Sequence, residues 1–358
     1  MAWTINNGKL YFNTELYTGN ASTQSITGVG FQPDFTWLKS RSGTYGAYNP
    51  QAYDVVRGFG ATKDLTPTTT AVEGVDSGVY GYISAVGADG FTLAAGSSNS
   101  NQNNGASTTY ASWNWKAGTS FTNDASGTGI GTIDSTGSFN NTAGFSIVSY
   151  TGTGSAGTIK HGLNSVPKMI IIKARSAVKD WTVYHNSISA ENYLELNQTI
   201  ASTDSASTFN DTVPTSSVFS VGTNGQTNGS STTYIAYCFA EKQGYSKFSS
   251  YTGNGNADGT FVYTGFKPAF VMAKKTSATG PWEMYDNKRL GYNPKSAVLY
   301  ANQSDAEDSS EDFIDILSNG FKSRFTNADF NTSGQTYIYM AFAENPFTSS
   351  TGTPVTAR

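Results

Sequence analysis

Apolar residues in this chain fall into short runs separated by Gly, Ser, Thr and Asn. Some runs alternate apolar and polar positions, as expected for strands with one buried face. Others, such as residues 169–172 and 234–240, are apolar at every position, which is typical of strands covered on both faces. The spacing that marks amphipathic helices is almost absent. The pattern predicts an all-β protein of many short antiparallel strands.

Four sequence landmarks recur three times in the same order. Each copy opens with an aromatic strand ending in Tyr-Thr-Gly, then has a proline, an apolar run and a lysine, then a second aromatic strand, and closes on a long apolar strand. Such self-similarity predicts three diverged copies of one unit of about a hundred residues. The landmark residues are Tyr17, Tyr150 and Tyr251; Pro33, Pro167 and Pro268; Lys39, Lys173 and Lys274; and Trp115, Phe239 and Phe342.

These landmarks predict the domain boundaries. The copies cover 1–118, 144–243 and 244–358, the last with a C-terminal tail, and a Gly/Ser/Thr-rich linker or edge-strand excursion covers 119–143. Each copy is long enough for its own hydrophobic core, and its short strands predict a jelly-roll or lectin-like β-sandwich. We therefore expect the copies to unfold separately unless their interfaces are large.

Charge and hydropathy narrow the classes of partner. The formal net charge is −4, with no basic stripe of the kind that neutralises phosphates, which argues against nucleic acid. The longest aliphatic run, 169–172, is far shorter than the roughly 20 residues of a membrane span. The first ten residues do not predict a secretion signal. We expect neither nucleic acid nor membrane as a partner.

Residues suited to catalysis are few. Nucleophilic catalysis needs an activating base close to the nucleophile, yet the only histidines are His161 and His185, and no nucleophile signature accompanies them. The single cysteine, Cys238, stands where the other copies have Asn114 and Ala341, which indicates a packing position. The sequence predicts no catalytic residue, no cofactor and therefore no enzyme.

Charged residues recur at fixed places. The three landmark lysines favour a solvated or ion-paired strand end, with a ligand or interface contact as the alternative. Asp54 and Arg57, like Asp286 and Arg289, have the spacing of a surface ion pair. The acidic cluster near Asp308 has ligands that suit Ca²⁺, but it is absent from the other copies and lacks an EF-hand loop. Solvated charge is the favoured interpretation, and no metal site is predicted.

Four aromatic residues are candidates for carbohydrate binding. Trp181 and Trp282 stand at equivalent places after the landmark lysine, and Tyr184 and Tyr285 follow each by three residues. Sugar rings stack on exposed aromatic faces. The alternative is that these aromatic residues belong to the core beside a turn, and for the two tryptophans this is the favoured interpretation.

The segments carrying these landmarks, among them FNTELYTGN, VPKMIIIKARS and YIYMAFAENPF, resemble a repeat family of marine bacteriophage structural and tail-fibre-like proteins. The resemblance covers nearly the whole chain. It implies concanavalin-type lectin-like modules in a non-enzymatic virion protein on the particle surface, acting in tail-fibre or appendage adhesion or as a capsid decoration. Implied partners are other virion proteins, a host surface glycan, and the chain itself in a homo-oligomer, with a trimer as the first expectation. The alternatives are a stand-alone carbohydrate-binding lectin and a capsular polysaccharide depolymerase.

Overall fold

The computed structural model describes residues 5, 7–42, 48–294, 297–326 and 328–343. The all-β class is confirmed: short antiparallel strands dominate, and in these parts of the chain each helix has only four residues. After a 3-10 turn at Gly8–Leu10, the elements are β1 (Phe12–Thr18), β2 (Gln24–Thr27), β3 (Phe35–Ser40), β4 (Gln51–Asp54), β5 (Tyr82–Gly87), β6 (Gly90–Ala94), β7 (Thr109–Trp115), β8 (Thr119–Asn123), α1 (Ala125–Thr128), β9 (Ser135–Asn140), β10 (Phe145–Thr151), β11 (Gly157–Lys160), β12 (Pro167–Ala174), β13 (Trp181–His185), β14 (Asn192–Glu195), β15 (Thr203–Asp204), α2 (Ala206–Phe209), β16 (Val218–Val221), α3 (Gly225–Asn228), β17 (Thr233–Ala240), β18 (Ser246–Thr252), β19 (Phe261–Tyr263), β20 (Pro268–Lys275), β21 (Trp282–Asp286), β22 (Leu299–Tyr300), β23 (Ile314–Leu317), β24 (Gly320–Ser323) and β25 (Thr336–Ala343).

Three larger sheets share one strand order. In each, the opening strand pairs with the closing strand, the closing strand pairs with the proline strand, and the proline strand pairs with the second aromatic strand. These series are β1-β7-β3-β4, β10-β17-β12-β13 and β18-β25-β20-β21. Each copy also has a smaller sheet, formed by β2-β6-β5, β11-β16 and β19-β24-β23.

The pairing register is the same in the three larger sheets. Trp115 lies opposite Phe35, Phe239 opposite Met169, and Phe342 opposite Phe270. Each of these partners comes two residues after its landmark proline. Because a proline cannot donate to a ladder, it stands where the pairing begins or shifts. A register shift does follow Pro167 and Pro268.

The segment predicted as a linker contains strands. β8 pairs with β9, and β9 pairs with β10, so residues 119–143 extend the edge of the second larger sheet. Of the two interpretations of this segment, the structure shows the edge strands. The C-terminal tail from residue 344 onward lies outside the described residues.

The Tyr-Thr-Gly landmark has a structural explanation. The Tyr150 ring stacks on Tyr234 with centroids 5.1 Å apart, and its hydroxyl donates to Thr227 O at 2.6 Å. A Cβ on Gly152 would collide with the backbone oxygen of Gly229, so only glycine fits. The same stacking occurs between Tyr17 and Tyr110 and between Tyr251 and Tyr337, and the same close approach occurs at Gly19 and Gly253.

Both faces of each larger sheet are buried, as the continuous apolar runs predict. One face packs against the smaller sheet of the same copy and forms a separate core. The opposite faces of all three larger sheets pack together in one shared core. At its centre the equivalent residues Trp115, Phe239 and Phe342 form a triangle, with ring centroids 5.8, 6.0 and 6.2 Å apart. The three sheets therefore surround one aromatic centre.

Candidate functional site

The landmark lysines lie in interfaces between copies. All three are buried with no exposed surface, so the solvated strand end favoured by the sequence is wrong and the interface alternative is correct. Each lysine Nζ donates to a backbone carbonyl of a different copy, so the buried Nζ group has a hydrogen-bond partner. The pairs are Lys39 with Gln303 O at 2.6 Å, Lys173 with Thr70 O at 3.1 Å, and Lys274 with Ile200 O at 2.8 Å.

These contacts run in one direction and close a ring. The first copy binds the third, the second binds the first, and the third binds the second. A backbone hydrogen bond two residues after each lysine repeats the arrangement with one geometry, since all three distances are 2.9 Å. The bonds run from Glu307 N to Arg41 O, from Glu73 N to Arg175 O, and from Ser202 N to Thr276 O.

The two recurring aspartate–arginine pairs are buried ion pairs. The side chains of Asp54, Arg57, Asp286 and Arg289 are all 0% exposed, which corrects the prediction of a surface pair. Burial alone raises the pKa of Asp286, but Arg289 and its hydrogen bonds outweigh burial and hold that pKa below its ordinary value. Each aspartate also reaches another copy: Tyr237 Oη donates to Asp54 Oδ2 at 2.7 Å, and Trp113 Nε1 donates to Asp286 Oδ2 at 3.2 Å.

His185 replaces the aspartate in the second copy. Burial lowers its pKa to about 4, although a hydrogen bond to the carbonyl of Tyr339 opposes the shift. The ring is therefore neutral at pH 7, and because its Nδ1 accepts from Ser187 N, its Nε2 carries the proton and donates to Tyr339 O at 3.2 Å. The third copy has Met340 where the others have Trp113 or Tyr237, so the side-chain donor is missing there. An aspartate at position 185 would have no side-chain donor to accept from, whereas His185 donates to the Tyr339 carbonyl instead.

The pH dependence of stability tests the interface lysines. Burial lowers the pKa of Lys39 to about 7, with Arg289 adding to the shift and Asp305 opposing it, against about 10.4 in an unfolded chain. Between these values the unfolded chain binds a proton that the folded chain does not, so the free energy of unfolding rises with pH. We expect a smaller rise in Lys39→Met than in the wild-type chain when urea unfolding is compared at pH 6.5 and 9.5. Part of the rise remains because burial also lowers the pKa of Lys173 and of Lys274 to about 8.

Lys267, an exposed lysine, supplies the control. Lys267→Met should keep the difference between the two pH values that the wild-type chain shows. An equal pH dependence in the wild-type chain and in Lys39→Met would contradict a buried Lys39.

Cys238 and His161 are also buried. Burial raises the pKa of Cys238 to about 12, partly offset by a hydrogen bond with Ser146, so the thiol stays protonated. Burial lowers the pKa of His161 to about 4, and its Nε2 lies 3.1 Å from Thr215 O. Neither residue presents a reactive group to solvent.

The four predicted carbohydrate-binding residues lie in the interior. Trp181 and Trp282 are 1% exposed, Tyr184 is 3% exposed and Tyr285 is 0% exposed. Trp181 Nε1 donates to Thr66 O at 3.1 Å and Trp282 Nε1 donates to Glu195 O at 3.0 Å, in each case in another copy. A sugar needs an accessible ring face, which these residues do not offer. The core interpretation of the tryptophans is the one that fits the structure.

The acidic cluster of the third copy is partly used in ion pairs. Glu307 lies 2.8 Å from Arg41 and 3.2 Å from Arg289. Asp308 Oδ1 accepts from Ser310 N at 2.9 Å. Within the part of the chain that the structure describes, no three His, Cys, Asp or Glu side chains are grouped to hold a metal ion.

The structure exposes a different pair of aromatic residues, on β19. Phe261 and Tyr263 point outward and are 45% and 59% exposed, while Val262 between them is buried. Tyr263 forms one wall of a groove of about 410 Å³, which we call the β19 groove. The opposite wall comes from the turn between β17 and β18 and from the start of β18, with Glu241, Gln243 and Lys247 among its residues.

Hydrogen bonds fix the polar wall of the β19 groove. Lys247 Nζ donates to Glu241 Oε1 at 3.0 Å, and Phe248 N donates to Glu241 Oε2 at 3.3 Å. The two charged side chains remain about one-third exposed, at 30% for Glu241 and 35% for Lys247. The groove therefore combines one aromatic face with an accessible carboxylate and ammonium group whose charges cancel.

The sequence held a signal for this pair that the repeat search missed. Val262, Ile26 and Ile159 are equivalent, because each lies opposite a phenylalanine of the neighbouring strand. The positions flanking them point outward, and the other copies fill them with Ser25 and Thr27, and with Thr158 and Lys160. Only the third copy has aromatic residues there, so the fold itself does not require them.

A larger groove of about 660 Å³ lies beside the strands of residues 119–143. Its walls are mostly hydroxyl side chains, and Tyr150, its one aromatic residue, is buried. Its two carboxylates are bonded locally: Asp124 accepts from Gly127 N and Asp134 accepts from Ala125 N. This groove offers hydrogen bonds but no aromatic platform.

Fold and site together define an all-β protein in which three sheets meet in an aromatic core with buried polar contacts around it. Its β19 groove joins an aromatic face to a polar wall. The chain belongs to the family described as a domain of unknown function, DUF7483, whose model matches residues 7–346. That match spans all three larger sheets, so the family unit is the whole assembly and not a single copy. No curated protein and no solved structure matches the chain. Among the described residues, no helix has the length and apolar character needed to cross a membrane.

Proposed function

We propose that the protein is a non-enzymatic structural protein of a bacteriophage particle surface, built from three fused copies of one jelly-roll, lectin-like unit. The observation that carries the proposal is the closed set of contacts between copies, in which each interface lysine binds the carbonyl groups of a neighbour. Such contacts make a rigid body from repeated sheets, which suits attachment or cementing on a particle. The function lies in the surface the body presents, as either a tail appendage or a capsid decoration.

The placement of reactive side chains supports a passive role. The landmark lysines bind carbonyl groups, Asp54 and Asp286 neutralise arginines, and both histidines form hydrogen bonds with backbone carbonyls. A catalytic group has to reach substrate, whereas these groups hold sheets together. Partners of such a body are other virion proteins and further copies of the chain, and repeated weak contacts gain avidity on a particle.

Locating the chain on purified particles tests the proposal. We expect the chain to co-sediment with the particles of the phage that encodes it, and we expect a cryo-EM map to contain its three-sheet body on a tail appendage or on the capsid. Its presence in infected cells but absence from purified particles would contradict the proposal.

A second candidate function is glycan binding by the isolated chain. The exposed Phe261 and Tyr263 favour it, since aromatic faces are a common platform for sugar rings and the equivalent positions of the other copies do not need them. An adhesive particle protein and a free-standing lectin would share this property. The two candidates are distinguished by particle location and not by the binding itself.

A further inference from the structure

We propose that the β19 groove binds a neutral saccharide, with Tyr263 as the stacking platform and Glu241 as the principal hydrogen-bond acceptor. The inference rests on the second candidate function and names its site and ligand class. It does not depend on where the chain is located. None of the residues predicted from the sequence as sugar-binding belongs to this site.

Exposure and position single out the two aromatic residues. Outward neighbours on one strand are roughly 7 Å apart, so Phe261 and Tyr263 form a continuous apolar strip along β19. The Phe261 ring lies over Gly320 of the neighbouring strand, where its Cε2 would be 3.0 Å from an added Cβ. Gly320 is required there by the close approach of the Val262 carbonyl, and the bare backbone gives the ring a flat support.

The polar wall fits hydroxyl groups. Glu241 is held by Lys247 and by the Phe248 backbone, so its oxygens are fixed before any ligand arrives, which lowers the cost of ordering on binding. Lys247 and Gln243 add donors beside it. A saccharide has hydroxyl groups that both donate and accept, together with an apolar C–H face that stacks on an aromatic ring.

Charge favours a neutral ligand. Glu241 and Lys247 lie 3.0 Å apart and cancel each other, so neither an acidic nor a basic ligand finds a net opposite charge in the groove. An extended peptide could instead pair with β19, which is the end strand of its three-stranded sheet. Peptide pairing would use the backbone and would depend little on the Tyr263 ring.

The first copy indicates which substitutions on β19 the fold tolerates, and these substitutions test the site. Phe261→Ser and Tyr263→Thr introduce the residues that the first copy has at equivalent positions, Ser25 and Thr27, so the strand tolerates them. Tyr292→Thr is the matched control, because Tyr292 is 73% exposed in the same copy but lines a different groove. Circular dichroism melts of all variants show whether the fold is intact.

Binding of the purified full chain is measured on an array of neutral pyranose oligosaccharides, with acidic oligosaccharides and unstructured peptides included. We expect wild-type binding to neutral members, a loss of about tenfold or more in Tyr263→Thr from removal of the stacking face, a smaller loss in Phe261→Ser, and no change in Tyr292→Thr. Replacing Glu241 with glutamine should weaken binding of the same neutral glycans. Because Lys247 then keeps an unbalanced positive charge, the variant should also bind acidic oligosaccharides better than the wild-type chain does.

Each contrary outcome has a distinct meaning. Absence of wild-type binding to every glycan overturns the saccharide inference and leaves the particle experiment unaffected. Wild-type binding that survives Tyr263→Thr, or that falls equally in Tyr292→Thr, overturns the assignment to the β19 groove while glycan binding stands. Binding of unstructured peptides that persists in Tyr263→Thr, with no glycan binding, replaces the saccharide by a peptide paired with β19.

Discussion

Replacing Phe239 with alanine should lower the free energy of unfolding of the whole chain by about 3–5 kcal/mol, the usual cost of emptying a buried aromatic site. The centroid of its ring lies 4.9 Å from that of Phe145 in its own copy, 6.2 Å from that of Trp115 in the first copy and 6.0 Å from that of Phe342 in the third. The cavity would therefore open in the core that all three larger sheets share. We expect the variant to unfold in one transition at a lower urea concentration than the wild-type chain. Tryptophan fluorescence and far-ultraviolet circular dichroism measure this transition.

A second variant tests whether the three copies unfold together or separately. Phe219→Ala empties a site in the core that belongs to the second copy alone, where Phe219 packs near Tyr150. If the shared core couples the copies, this variant also unfolds in a single transition. Fluorescence reports on all three, because Trp113, Trp181 and Trp282 lie in different copies. A variant that loses one-third of its strand signal in an early transition would show that the copies unfold independently and that their interfaces are weak.

The shared core shows where sequence reasoning reaches its limit. A run such as 169–172, apolar on both faces, correctly predicts a strand covered on both sides. It does not say what covers it. One cover, the smaller sheet, comes from the same copy, but the other comes from strands that lie in the other two copies. Strand periodicity contains no information on such distant partners.

The same limit explains the lysines and the tryptophans. An apolar run followed by a lysine is typical of a strand that ends in solvent. The lysine alone does not indicate that carbonyl groups of another copy lie next to it. Lys39 and Gln303, for example, are 264 positions apart. Trp181 and Trp282 come directly after a turn, where exposure was one reasonable expectation, yet both are covered by another copy. The outward aromatic residues of β19 become visible only once the register of the three copies is aligned.

Removing one member of a buried ion pair gives the second large effect. Arg57→Met should lower the free energy of unfolding by about 3–5 kcal/mol, because Asp54 then keeps its charge in the interior without a cation. Arg57 also donates to Ala52 O at 3.0 Å and to Lys63 O at 2.6 Å, and those carbonyls lose a donor. Urea unfolding at pH 7 measures the loss. Lys247→Met breaks the exposed pair with Glu241 and should change stability by less than about 1 kcal/mol.

The double variant Asp54→Asn/Arg57→Met separates charge from packing. The asparagine side-chain oxygen still accepts from the backbone N–H groups of residues 56 and 57, its NH2 group takes the place of Oδ2 and donates to Tyr237 Oη, and no net charge stays buried. The second copy already tolerates uncharged residues at these positions, since His185 and Ile188 stand there. We therefore expect the double variant to recover most of the stability that Arg57→Met loses. If both variants lose the same free energy, the pair stabilises the interface through the arginine's hydrogen bonds and packing, and the buried charge of Asp54 contributes little to the cost.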